Sequence, residues 1–149
     1  MNFKLFILLV LLVSNVSVAK VDKDFSLAVE VENDTLDLSS PNLPKGYDDS
    51  RYYFWAKAVI TNESMFPKKL TTWACTGAGF KIEPDSVQNA VACKKNFPKT
   101  ILLQPKEIYK IRLYLSFKKN YTGDTLKFRI YYPMAAIDWS EFVTIKLRI

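Results

Sequence analysis

The stretch from Ile108 to Phe117 is the clearest alternating segment of this sequence, and it constrains the fold most strongly. Successive side chains of a strand point to opposite faces of a sheet, so a period of two predicts a strand with one buried and one solvated face. The predicted buried face is Tyr109, Ile111, Leu113, Leu115 and Phe117, and the other face is Ile108, Lys110, Arg112, Tyr114 and Ser116.

Seven further stretches have strand character, from alternation or from their β-branched and aromatic content. They are residues 25–32, 52–61, 69–75, 80–82, 100–103, 126–132 and 143–149. Nothing after the N-terminal segment predicts a helix of three or more turns. The sequence therefore predicts an all-β protein, an antiparallel β-sandwich of seven or eight strands with immunoglobulin-like topology. A small β-barrel is the alternative.

Two segments are predicted as loops because they show neither the period of a helix nor that of a strand. Residues 36–50 contain Pro41, Pro44 and Gly46 among many small polar residues, and a loop of this length is either functional or a tolerated excursion. Residues 85–99 are predicted as a loop with at most one helical turn.

The first 19 residues have the pattern of a secretory signal peptide. Lys4 precedes an apolar run from Leu5 to Val13, and Ser17, Val18 and Ala19 provide a cleavage site. The run is too short to span a bilayer comfortably, since spanning takes about 20 residues. We expect a single mature domain of residues 20–149, secreted or periplasmic, with no transmembrane segment after cleavage.

The sequence contains two cysteines, Cys75 and Cys93, and no histidine. In an exported chain an even number of cysteines predicts a disulfide, with two buried thiols as the alternative. Without histidine or a third cysteine, we expect neither a metal site nor a cofactor.

The absence of histidine also removes the usual general base and every Ser-His or Cys-His arrangement. Carboxylate pairs at Asp48 and Asp49, and at Glu83 and Asp85, are compatible with solvated loop charges. We therefore predict that the protein is not an enzyme.

Charge is distributed unevenly along the chain. Residues 20–50 contain eight acids and three lysines, a balance of −5, whereas residues 51–149 contain seven acids and seventeen lysines and arginines, a balance of +10. A surplus of this kind either attracts anionic partners such as envelope polymers or lipid headgroups, or simply keeps the surface soluble. Lys94, Lys95 and Lys99, beside the second cysteine, are candidate interaction residues. No nucleic-acid-binding motif is present.

Four consecutive aromatic residues, Tyr52 to Trp55, must point alternately to both faces of their strand. Core packing explains Phe54 or Trp55, and an exposed aromatic pair would suit a sugar ring or a partner surface. Asn33, Asn62 and Asn120 each begin a glycosylation sequon at a predicted turn, as potential acceptors in a eukaryotic host.

Several short motifs between residues 55 and 149 resemble those of small exported immunoglobulin-like domains, found mostly as uncharacterised bacterial envelope proteins. They are Thr61-Asn62-x-Ser64, Cys75, Cys93-x-x-Asn96, Leu103-x-Pro105-x-Glu107-x-Tyr109, Phe128-Arg129-Ile130 and Asp138-Trp139-Ser140. The resemblance implies a sandwich fold and an exported location, without an activity. The chain is also loosely similar to immunoglobulin-like protease inhibitors of bacteria, although the inhibitory loop patterns of the chagasin-type group are absent.

The leading functional hypothesis is an exported, non-enzymatic binding module that recognises a protein or an anionic envelope component through residues 76–99. Loops on a rigid scaffold are where recognition usually occurs. One alternative is a protease inhibitor that presents the disulfide-held loop. The other is a structural subunit that pairs through an exposed edge strand.

Overall fold

The computed structural model describes residues 24–32, 35–38, 48–75, 79–90 and 96–148. These residues form ten strands: β1 Phe25–Val31, β2 Thr35–Asp37, β3 Arg51–Asn62, β4 Lys68–Trp73, β5 Lys81–Glu83, β6 Val87–Asn89, β7 Pro98–Leu103, β8 Ile108–Lys118, β9 Thr125–Tyr131 and β10 Val143–Arg148. A short 3-10 helix covers Pro133–Ala135. The predicted signal peptide, residues 1–19, lies outside the described residues.

The first sheet has the strand order β1-β3-β8-β6, with every neighbouring pair antiparallel. Strands β3 and β8 form its centre, paired from Arg51 opposite Lys118 to Thr61 opposite Ile108. The alternation predicted for β8 is observed in its inner residues, because Leu113 and Leu115 are fully buried. Its outer face is also partly covered, since Tyr114 and Ser116 are buried as well.

The second sheet has the order β2-β10-β9-β5, and β4 and β7 form a separate antiparallel pair. Strand β2 runs parallel to β10, and the other pairs of this sheet are antiparallel. The described residues are therefore all-β with mostly antiparallel pairing, as predicted at the level of fold class.

One hydrophobic core is shared by both four-stranded sheets. The Phe54 ring of β3 contacts the Phe128 ring of β9 at a centroid distance of 5.7 Å and an interplanar angle of 66°. Ile60 of the first sheet and Ile130 of the second are also fully buried in this core. The inner faces of the two sheets are thus joined by apolar contact, which is the main favourable term in folding.

Two strands lie where loops were predicted. Strand β2 occupies part of the 36–50 segment, and β6 lies within residues 85–99. Each is three residues long and is held by pairing with a distant strand, β10 or β8 respectively. Such strands carry too few residues to show a period, so only tertiary pairing reveals them. Residues 39–47, most of the predicted long loop, lie outside the described residues.

The cysteines are only partly described. Cys75 is buried, with 7% of its surface exposed, whereas Cys93 lies outside the described residues. The described residues do not show the predicted disulfide between Cys75 and Cys93, which stays a prediction.

Candidate binding site on the second sheet

The interaction residues predicted from the sequence are largely not described. Lys99 lies in β7, exposed and opposite Thr72 of β4, while Lys94 and Lys95 lie outside the described residues. A site formed by these three lysines therefore stays a prediction.

Two of the four carboxylates considered for catalysis, Glu83 and Asp48, have structural partners. The Glu83 Oε2 atom accepts two hydrogen bonds from Arg129, one from Nε at 2.9 Å and one from Nη2 at 2.7 Å. The Asp48 carboxylate accepts hydrogen bonds from the Ser50 hydroxyl and amide, and these bonds lower the pKa of Asp48. Across the described parts of the chain, no group of three or more Asp, Glu or Cys side chains could hold a metal ion.

A different cluster of functional side chains lies on the outer face of the second sheet. We call it the basic–aromatic face. Its cations are Lys81 of β5, Lys127 and Arg129 of β9, and Lys146 and Arg148 of β10; its aromatic residues are Tyr131, Trp139 and Phe142. Alternation places these strand residues outside, because Phe128, Ile130 and Ile145 between them are buried.

Arg129 is the centre of this face. Its guanidinium carbon lies 4.8 Å from the ring centroid of Trp139 and 4.8 Å from that of Phe142. The Trp139 ring in turn lies 5.4 Å from the ring of Tyr131. With Glu83 bound to Nε and Nη2, the guanidinium has aromatic and carboxylate contacts that fix its position before any ligand arrives.

Next to Arg129, the Lys127 ammonium lies 4.7 Å from the Phe142 ring centroid. Lys127 and Phe142 also line an open depression of about 380 Å³ together with Glu83 and Pro84. Phe142 is 46% exposed, so one large apolar side chain borders the depression in contact with solvent.

Strand register places the five cations in a diagonal line. Lys81 lies opposite Tyr131, two residues from Arg129 along β9, and Lys146 lies opposite Thr125, two residues from Lys127. With a rise of about 3.4 Å per residue and a strand spacing of about 4.8 Å, the line from Lys81 to Arg148 spans roughly 28 Å. Two acids adjoin this line: Glu83, which is paired with Arg129, and Asp37 of β2, which register places opposite Arg148.

The outer face of the first sheet differs in charge. There Lys110 pairs with Glu30 at 3.0 Å, and Arg112 lies 4.0 Å from Glu32. Two of the eight acids of residues 20–50, Glu30 and Glu32, are therefore paired with cations of β8.

The predicted exposed aromatic residues are found on that first sheet. Core packing was expected for Phe54 or Trp55. Phe54 is in the core, whereas Trp55 is 41% exposed. The Tyr114 ring lies between Tyr53 and Trp55, at centroid distances of 5.4 and 4.3 Å, and Arg112 lies 4.9 Å from the Trp55 ring. These rings mainly contact one another and cover the sheet.

The sequence alone did not identify the basic–aromatic face. The signal was available within β9, where Lys127, Arg129 and Tyr131 alternate with buried residues. However, β5, β9 and β10 had to be placed side by side before their cations could form one line.

No protein-family profile and no curated protein matches this sequence. Among solved structures, the chain is similar to the crystal structure of a FixG-related protein from Vibrio parahaemolyticus, with a TM-score of 0.45 and 8% identity. The match covers 85% of this chain and 98% of that one. Separately, the described residues contain no helix that is long and apolar enough to cross a membrane.

Proposed function

We propose that this protein is an exported, non-enzymatic binding module that recognises an anionic component of the cell envelope through the basic–aromatic face. The observation that carries the proposal is the line of five cations on one outer sheet face, with Arg129 fixed at its centre. An extended anion lying across the sheet would contact several of these charges at once.

Preorganisation supports binding at this face. A flexible arginine loses side-chain entropy when it binds, at a cost of about 0.5–1.5 kcal/mol for each immobilised side chain. Contacts with Trp139, Phe142 and Glu83 restrict Arg129 already in the free protein. Binding would therefore cost less entropy than at an isolated surface arginine.

The strand order supports an immunoglobulin-like sandwich as the scaffold. In that fold strands A, B, E and D form one sheet and C, F and G the other. Here β1, β3, β8 and β6 match the first set in chain order and position, and β5, β9 and β10 match the second. Strands β2, β4 and β7 would be additions to this plan.

The alternatives proposed from the sequence have less support. An inhibitory loop would use residues 76–99, of which 76–78 and 91–95 lie outside the described residues. Edge-strand pairing would use β1, β4 or β7, which have six or seven residues, since the other edges, β2, β5 and β6, have only three residues each. Short edges are one of the ways in which proteins avoid such pairing.

The proposal is tested with soluble polyanions. Polygalacturonate and polyphosphate serve as probes, and neutral dextran as the control, in titration calorimetry at two salt concentrations. We expect the wild-type protein to bind at least one polyanion and not dextran, with weaker binding at higher salt because exposed charges are screened.

A matched pair of charge reversals locates the site. The double variant Lys127→Glu/Lys146→Glu should weaken binding at least tenfold. The double variant Lys99→Glu/Lys118→Glu changes net charge equally at exposed positions outside the face, and should weaken it less than threefold. Equal losses in the two variants, or no binding of either polyanion by the wild type, would contradict the proposal.

A further inference from the structure

One end of the domain concentrates large exposed apolar side chains. Met65 and Phe66, in the turn between β3 and β4, are 83% and 70% exposed. Leu102, one residue before the end of β7, and Ile108, the first residue of β8, are 55% and 53% exposed. We call these four residues the apolar end. They are half of the large hydrophobic residues found exposed in the described part of the chain.

The turn that carries Met65 and Phe66 is rigidly held. The buried Asn62 side-chain amide donates to the carbonyls of Phe66, Leu103 and Gln104 at 2.9, 2.9 and 3.1 Å. The Ser64 hydroxyl donates to the Phe66 carbonyl at 2.6 Å and accepts from the Phe66 amide at 3.2 Å. The hydrogen-bonded backbone of this turn therefore holds Phe66 in its exposed position.

Lysines surround the apolar end, and its charge is nearly balanced. Lys68 pairs with Asp24 at 2.7 Å, and Lys106 pairs with Glu63. Lys69 is also exposed here, as is Glu107, whose carboxylate accepts the Gln104 amide. Attraction at this end must therefore come from apolar contact more than from net charge.

The size of the apolar end decides what it can bind. A stable protein interface buries about 800 Å² on each partner, whereas a single large aromatic side chain contributes only 150–250 Å² or so. Four partly exposed side chains around two turns are too few for such an interface. A convex apolar tip with lysines at its rim instead suits the interface of a lipid bilayer, where apolar groups enter the acyl boundary and ammonium groups stay among the headgroups.

We propose that Met65 and Phe66 insert into the surface of a lipid bilayer and attach the protein to it reversibly, with Leu102 and Ile108 at the boundary. This inference is independent of the basic–aromatic face, which lies on the outer side of the second sheet. It concerns a second site with a different ligand.

Co-sedimentation with vesicles measures the attachment. We expect the wild-type protein to bind vesicles of phosphatidylcholine, with less than threefold loss in high salt. Vesicles that also contain phosphatidylglycerol are a second probe, to which the basic–aromatic face can add electrostatic attraction. The double variant Met65→Ser/Phe66→Ser should reduce the partition coefficient at least tenfold, which is about 1.4 kcal/mol at 25 °C.

The control is Phe97→Ser. Phe97 is 60% exposed and lies at the opposite end of the β4–β7 pair, since its carbonyl accepts the Ala74 amide. This variant should bind vesicles as the wild type does. Circular dichroism spectra of all variants should match, because both substituted sites are on the surface.

Insertion depth is read with Phe66→Trp and vesicles of brominated lipid. The brominated lipid should quench the fluorescence of the tryptophan introduced by Phe66→Trp. It should not quench the fluorescence of the tryptophan introduced by Phe97→Trp. Absence of wild-type binding to both vesicles, equal binding by the double serine variant, or equal quenching at the two positions would each overturn the inference. Dimerisation abolished by the double serine variant would overturn it as well, in favour of a second copy of this chain.

Discussion

Asn62 illustrates how one residue can organise two turns. It is fully buried, and its side-chain carbonyl also accepts the Ser64 amide at 3.0 Å, with the Ser64 hydroxyl oxygen 2.8 Å away. The Asn-x-Ser sequence was predicted as a potential glycosylation acceptor. In the folded protein this acceptor nitrogen is buried and donates to three carbonyls, so the motif here has a structural role.

Replacing Asn62 by alanine should lower the free energy of unfolding by about 3 kcal/mol, because the buried Leu103 carbonyl and the partly buried carbonyls of Phe66 and Gln104 would lose their donor. Urea unfolding measures the difference. Asn120→Ala, at an exposed turn position, is the control and should change stability by less than about 0.5 kcal/mol. A loss at Asn62 no larger than at Asn120 would show that the turn does not depend on this amide.

Glu63 gives the apolar end a dependence on pH. Hydrogen bonds from the Lys106 ammonium and then from the Ser26 hydroxyl lower the pKa of Glu63 below its ordinary value of 4.5. The folded state thus binds its proton more weakly than the unfolded state. The stabilisation is present above the unfolded pKa and is lost as pH falls through the lower, folded pKa.

The stability difference between the wild type and Glu63→Gln should therefore be present near about pH 7 and be smaller at about pH 3, below the unfolded pKa. Because the side chain is partly exposed, we expect a small difference even at neutral pH. Urea unfolding at both pH values measures it. A difference that grows on acidification would contradict this assignment.

At the scale of elements, the β4–β7 pair supports the predicted disulfide. The Ala74 amide donates to the Phe97 carbonyl at 2.9 Å, and the Cys75 amide donates to Asn96 Oδ1 at 3.3 Å. Cys93 precedes Asn96 by only three residues in the sequence. Three residues span at most about 11 Å, so this chain length is compatible with a bond between the two cysteines, which stays a prediction.

Cys75→Ser should lower stability by about 3 kcal/mol, the value expected in the chain-entropy model for a closed loop of this length. Thermal unfolding with and without a reducing agent measures the effect. The wild type should lose stability on reduction, whereas the variant should not respond. Titration of two free thiols in the unreduced wild type would exclude the bond.

At the scale of the whole molecule, two sheets depend on one core. Phe128 is fully buried, and its ring meets Phe54 of the opposite sheet. Phe128→Ala should lower the free energy of unfolding by about 3–5 kcal/mol, since it leaves a cavity between the sheets. Phe97→Ala, at an exposed position, should cost far less in the same urea experiment. Comparable losses would show that the sheets do not share this contact.

Charge is also organised at this scale. Glu30 of β1 and Glu32 just after it pair with cations of β8 on the first sheet, while the cations of β5, β9 and β10 line up on the second. The apolar end lies apart from this line, at the turns after β3 and β7. The two proposals can therefore be tested by substitutions that do not share a residue.

The sequence by itself determined the strands that have enough residues to show a pattern. Alternation in β8 and β9, and the β-branched and aromatic residues of β3, predict these strands because each side chain responds to a buried or solvated face. The same local reasoning predicted Phe54 as a core candidate. It failed for β2 and β6, which have three residues each and exist through pairing with distant strands.

Only the tertiary structure decided which cations and apolar side chains become neighbours. Lys81, Arg129 and Lys146 are far apart in the sequence, and register brings them onto one face. Asn62 likewise looked like a sequon until Leu103 and Gln104 were placed beside it. Local sequence sets the direction of each side chain, whereas the meeting of distant residues depends on strand order and register, which long-range pairing fixes.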